Sequence, residues 1–110
     1  MQEITMTDSD RKLILNYRYI VWTINSLNES IEWNQRHGLP VHSMADQADS
    51  LTRQLIRFEE IMQSLPDRLT RIVIRLRYAI GMNLPEISFL IDISAGTVMR
   101  KCKMILSPGI

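Results

Sequence analysis

Along the first third of the chain, apolar residues recur every three or four positions: Ile14, Tyr17, Val21, Ile24, Leu27 and Ile31. That spacing lays one stripe along an α-helix, and Asp8 or Ser9 can cap its start, so the pattern predicts a helix to about Asn34. Arg36-His37-Gly38-Leu39-Pro40 ends it, because Gly accepts a left-handed cap and Pro holds Leu39 extended. A second stripe follows, at Leu51, Leu55, Phe58, Ile61, Met62 and Leu65, with Ser43 or Asp46 as its candidate cap. Two long helices joined by a short break predict an antiparallel hairpin.

From Leu65 onward the pattern shortens. Pro66 suits a helix start, where an amide hydrogen is not needed, and Asp67 adds favourable charge there. Leu69, Ile72, Val73, Leu76 and Ile80 predict the inward stripe of this helix, and Gly81 its end. A short helix over Leu84–Leu90 follows, with Pro85 in its first turn and Ile87 and Ile91 facing inward. Asp92 occupies a tight turn, where Asp tolerates left-handed backbone. Ile93 anchors that turn, Ser94 caps the last helix, and Val98, Cys102 and Ile105 form its buried stripe. The spacing of the last two helices is that of a helix-turn-helix, commonly used to set its second helix in the DNA major groove. The expected fold is all-α, with a helical scaffold and dimerisation segment over residues 1–64, a helix-turn-helix module over 65–106 and a flexible tail over 107–110.

Composition narrows the function classes. The 110 residues are 45% hydrophobic, an ordinary globular content. A single cysteine, Cys102, excludes an intrachain disulfide and four-cysteine zinc sites. His37 and His42 flank Gly38 and Pro40 rather than share a helical face, and Asp46 serves as readily as a cap, so no metal or other cofactor is expected. No glycine-rich phosphate loop or nucleophile motif is present, and the expected role is non-enzymatic. The polar, acidic start MQEITMTDSD lacks the form of a secretion signal, no stretch is apolar enough to span a bilayer, and cytoplasmic residence is the default.

The net charge of +1 hides an asymmetry. Residues 1–64 carry six basic and nine acidic side chains, whereas residues 65–110 carry seven basic and three acidic. A basic part behind an acidic one fits a polyanion-facing module. With Val98, Cys102 and Ile105 inward, the outer face of the last helix falls to Ala95, Gly96, Thr97, Met99, Arg100 and Lys103. Ser94 and Thr97 suit phosphate or a base edge, Arg100 suits guanine, and Lys101 and Lys103 suit phosphate. Arg71 and Arg75, with Arg68, are either flanking phosphate contacts or a solvated, ion-paired face. Cys102 reads as a small core residue. Trp22 and Trp33 read as packing or dimer contacts rather than stacking platforms, which favours a homodimer built by the N-terminal helices.

The block Leu65–Leu106 resembles the promoter-reading region 4 of bacterial sigma-70-type transcription factors and LuxR-type helix-turn-helix domains. The resemblance lies in Leu65-Pro66, Ile72 through Leu76-Arg77-Tyr78, Gly81, Glu86-Ile87 and Ile93-Ser94-Ala95-Gly96-Thr97-Val98. It covers about 42 residues, and the whole layout resembles small sigma-like transcription regulators of Gram-positive phages and prophages. The resemblance implies double-stranded DNA binding through Ser94–Lys103 and contact with RNA polymerase. The chain departs from the pattern at Ser88, Asp92 and Met104, and Phe89 and Leu90 add apolar bulk where sigma-like domains keep polar residues. Two other readings therefore stand beside a sequence-specific regulator. One is a protein-binding adaptor or inhibitor acting on RNA polymerase or a sigma factor; the other is the DNA-recognition subunit of a phage packaging enzyme.

Overall fold

Thr7 opens the first helix through a reciprocal cap: its hydroxyl accepts from the Asp10 amide at 3.1 Å, and the Asp10 carboxylate accepts from the Thr7 amide at 3.3 Å. In the computed structural model, which describes residues 6–106, this helix is α1 (Asp8–Leu15). The chain continues as α2 (Tyr17–Arg36), α3 (His42–Ser64), α4 (Arg68–Ile74) with a π-helical extension over Arg75–Ile80, α5 (Leu84–Ile91) and α6 (Ala95–Leu106). Among the described residues there is no strand, and no helix is long and apolar enough to cross a membrane. The expected tail over 107–110 lies outside the described residues.

The single long N-terminal helix expected from the pattern is two helices. Asn16, at φ −102° and ψ 7°, interrupts it. The expected positions Ile24, Leu27 and Ile31 keep facing inward, and the change is confined to the first turns of α2. Ile14 stays buried, but Ile20 and Ile24 become the buried positions of α2, while Tyr17 and Val21 are half-buried. Tyr17 lies against Phe58 of α3 with ring centroids 4.1 Å apart. The cap of α3 also differs. Neither Ser43 nor Asp46 caps it; Val41 occupies that position without a side-chain bond, and Asp46 pairs with His42 at 3.3 Å. α2 and α3 make the most extensive helix–helix contact, as a hairpin requires.

At the next helix start Asp67, not Pro66, does the capping. Its carboxylate accepts from the Thr70 amide at 2.6 Å and from the Thr70 hydroxyl at 2.9 Å. The inward stripe consequently reads Thr70, Val73 and Ile74, while Ile72 sits at the surface. The π-helical turn moves the register again, so Ile80, expected inward, is 63% exposed. The Leu76 carbonyl accepts from the amides of both Gly81 and Met82, closing the turn. Gly81 takes φ +92°, and the Arg18 guanidinium of α2 packs where a Cβ would project, 2.5 Å away. The left-handed φ is what calls for glycine, since the Arg18 side chain could move aside.

Buried side chains from both sides of Ser64 form one cluster. Leu13, Ile14, Ile20, Phe58, Ile61 and Met62 join Val73, Ile74, Ile87, Val98, Cys102 and Ile105. Polar ties reinforce it. Arg57 of α3 donates to both oxygens of the buried Asp10 at 3.0 and 2.8 Å, and Arg11 of α1 donates to the Ile105 carbonyl in the last turn of α6 at 3.3 Å.

Candidate nucleic-acid interface

α5 begins with a second reciprocal cap. The Asn83 side chain accepts from the Glu86 amide at 2.9 Å, and the Glu86 carboxylate accepts from the Asn83 amide at 3.0 Å. Pro85 sits in the first turn, where it sacrifices no hydrogen bond. Ile87 is fully buried. At the other end Asp92 takes φ 56° and ψ 49°, the left-handed geometry expected of it.

Ser88 locks the turn that follows. Its carbonyl accepts from the amides of Asp92 and Ile93, and its hydroxyl donates back to the Ile93 carbonyl. The Asp92 and Ile93 amides and the Ile93 carbonyl are thereby satisfied by Ser88 alone. Sequence reasoning treated Ser88 only as a departure from a pattern; a hydroxyl five residues before the turn's last carbonyl was the available signal. Asn83 was also missed, although Asn83-Leu84-Pro85-Glu86 carries the cap spacing openly.

α6 then starts from Ser94. Its hydroxyl accepts from the Thr97 amide at 3.1 Å, and its carbonyl accepts from the Val98 amide at 3.1 Å. Val98, Cys102 and Ile105 are buried as the stripe predicts. Burial pushes the Cys102 thiol up from its ordinary value, so it stays protonated beside Tyr78 and packs as a small apolar group.

The opposite side of α6 is open. Ser94, Ala95, Gly96, Met99, Arg100 and Lys103 are exposed, and Thr97 is half-buried. Three of these side chains are joined: the Ser94 and Thr97 hydroxyls lie 2.9 Å apart, and Arg100 donates to the Thr97 hydroxyl at 3.0 Å. This bond holds the guanidinium back toward the amino end of the helix. Its remaining N–H groups are left as solvent-facing donors.

The remaining basic candidates sit elsewhere. Lys101 is drawn aside to Asp67, 3.4 Å away, and ties α6 to the start of α4. Arg75 faces the scaffold. Its guanidinium bonds both oxygens of Glu59, at 3.0 and 2.7 Å, and lies 5.9 Å from the centre of the Phe58 ring. Arg71 is half-buried on α4, and Arg68 beside Asp67 is exposed. The structure thus gathers Ser94, Thr97 and Arg100, keeps Ala95, Gly96, Met99 and Lys103 on the same open helix, and engages Lys101 and Arg75 in intramolecular pairs.

On α5, Phe89 is 91% exposed and Leu90 59% exposed, beside the locked turn. The chain matches no family model, no curated protein and no solved structure.

Proposed function

We propose that this chain is a sequence-specific DNA-binding transcription regulator in which α5, the Asp92 turn and α6 act as a helix-turn-helix. In this reading α6 enters the major groove of double-stranded DNA, Arg100 addresses a guanine edge, and Ser94 and Lys103 contact phosphate. Its role is non-catalytic. The observation that carries the reading is the open face of α6, where a pre-oriented guanidinium and exposed Lys103 lie opposite a fully packed inner stripe. A rigid turn beneath it supports the same reading, because base readout depends on holding a helix at one angle. The resemblance of Leu65–Leu106 to sigma region 4 supports reading the chain as an accessory regulator of phage or mobile-element type, with RNA polymerase as a proposed second partner.

Selection of bound fragments from a random DNA pool tests the proposal. Enrichment of a defined sequence is expected, with specific binding at least about a thousandfold above non-specific binding. Arg100→Ala should relax discrimination at one position, costing about 1–3 kcal/mol there, and Lys103→Ala should weaken all sequences alike and lower the salt slope by about one unit. Equal affinity of the wild type and the double alanine variant would sink the assignment of α6.

One observation favours a second reading. Phe89 and Leu90 form an exposed apolar pair that DNA contact does not require, and a protein-binding adaptor would use them. Absence of any enriched sequence, together with retention of RNA polymerase that Phe89→Ser abolishes, would select that reading.

A further inference from the structure

The outward face of α2 is aromatic. Its inward stripe, Ile20, Ile24, Leu27 and Ile31, faces the scaffold interior, and α3 is its principal packing partner. On the far side Tyr19 is 66% exposed, Trp22 65% and Trp33 50%. Tyr19, Trp22, Ser26, Glu29 and Trp33 are spaced by three and four residues, which is the seam of a two-helix coiled coil. Trp22 borders a groove against Arg75, Ala79 and Ile80 of the π-helical turn and its ring centre lies 6.2 Å from that of Tyr19, yet these contacts leave both rings mostly uncovered. Indoles are the residues most enriched in buried protein interfaces.

The stripe is self-complementary in one direction only. A two-fold axis between Leu27 and Asn28 sets Trp22 opposite Trp33 of the partner subunit and Ser26 opposite Glu29 of the partner subunit. Tyr19 then lies opposite Arg36 of the partner subunit, where a cation meets a ring. In this register each Glu29 faces a hydroxyl in its own layer, and the two carboxylates lie in adjacent layers rather than directly opposite. Parallel pairing instead sets Glu29 against Glu29 of the partner subunit, and Arg36 against its own copy, which is unfavourable. The geometry of Trp33 suits docking as well. His37 stacks on one face of its indole at 3.9 Å and is held at 2.8 Å from the Trp33 carbonyl, which leaves the other face to be covered.

We infer that α2 is a homodimer interface, and that two copies of this chain pair antiparallel through it with Trp22–Trp33 layers flanking a central Ser26–Glu29 hydrogen-bonded layer. The polar centre fixes the register, as a buried polar layer does in coiled coils, and the indoles supply the buried area. Such a contact is isologous and closes at two copies. The inference does not rest on DNA binding, and its test contains no DNA, so either can fail alone.

Light scattering on the full chain at concentrations on the order of 100 µM down to 1 µM should report twice the 12.8 kDa chain mass at the upper end. Trp22→Glu and Trp33→Glu should each return the mass to that of one chain, with helical circular dichroism unchanged because both side chains are exposed. Ser26→Arg discriminates direction, with helical circular dichroism checking that the half-buried position 26 accepts it. The substituted side chain meets Glu29 of the partner subunit only in the antiparallel register, where each guanidinium relieves a carboxylate that the seam otherwise buries against a hydroxyl, and the dimer should tighten by at least about fivefold. A monomer throughout the range, or an assembly indifferent to both Trp substitutions, would overturn the interface. A dimer weakened by Ser26→Arg would overturn the register, since that is the result expected when like residues face each other.

Discussion

Replacing Asp67 by alanine should cost about 2–3 kcal/mol, because one carboxylate at the start of α4 makes three separate contacts. It caps the Thr70 amide, accepts from the Thr70 hydroxyl and pairs with Lys101 of α6. Loss of an N-cap costs about 1 kcal/mol. The Thr70 side chain is fully buried, so its orphaned hydroxyl adds about 1–1.5 kcal/mol, at the lower part of the usual range because water can enter beside the half-exposed Asp67. The Lys101 pair, with Asp67 42% exposed, adds about 0.5 kcal/mol or less.

Asp67→Asn separates these contributions. The amide oxygen still accepts from the Thr70 amide and the amide nitrogen can donate to the Thr70 hydroxyl, so only the ion pair is lost and the cost should stay at about 0.5 kcal/mol or less. Thr70→Val in the Asp67→Ala background removes the orphan, and the double variant should recover about 1 kcal/mol of the single loss. Urea unfolding followed by circular dichroism measures all four proteins. Equal losses for Asp67→Ala and Asp67→Asn would refute the cap as the source, and a double variant no more stable than Asp67→Ala would refute the orphaned hydroxyl.

Two further outcomes follow from the same geometry. Arg57 holds the Asp10 carboxyl below its ordinary 3.8, Arg75 holds Glu59 below 4.5, and the Thr70 amide holds Asp67 below 3.8. Their stabilisation is present above those values and is lost as pH falls through the depressed ones. Burial raises Tyr78 and Cys102, so their contribution is present below 10.0 and 9.0 and is lost as pH rises. Urea midpoints should therefore fall at both ends of the pH range, and Arg57→Met should flatten the acid limb; an unchanged acid limb would count against the Asp10 pair. Gly96→Ala adds a Cβ whose nearest neighbour is the Ser94 hydroxyl at 3.9 Å, so it should stabilise α6 by about 0.5 kcal/mol while weakening DNA binding. A variant both more stable and equally tight would show that DNA does not approach that surface.

The sequence was most legible where punctuation is dense. Between Gly81 and Ser94 every few residues carry a conformational demand, and the ends of α5, the left-handed Asp92 and the Val98, Cys102 and Ile105 stripe all follow from it. Asn16 carries no such demand. Asn is tolerated inside helices, and the break coincides with the packing of α1 against α3, which local sequence does not announce. The π-helical turn is equally silent in sequence, because the bonds that close it, from the Gly81 and Met82 amides to the Leu76 carbonyl, carry no residue pattern of their own. At the candidate interface the Ser94, Thr97 and Arg100 spacing was legible as one exposed edge. The capture of Arg75 by Glu59 was not, since those two residues come from different helices brought together by the core.

That shared core bears on how the two proposals would combine. Phe58 of the scaffold is fully buried beneath Tyr17 and Arg75, Gly81 receives Arg18, and Arg11 reaches the last turn of α6. α6 is therefore fixed relative to α2 by packing and polar ties rather than carried on a linker. Two copies paired through α2 would hold their two recognition helices at one separation and one angle, because no flexible segment intervenes to relax either. A dimeric reader joined by a linker tolerates several half-site spacings; a reader built this way should accept one, with affinity falling sharply when a base pair is inserted between half-sites. The exposed indoles of α2 and the exposed guanidinium of α6 would then act as one device, the first setting the distance at which the second reads.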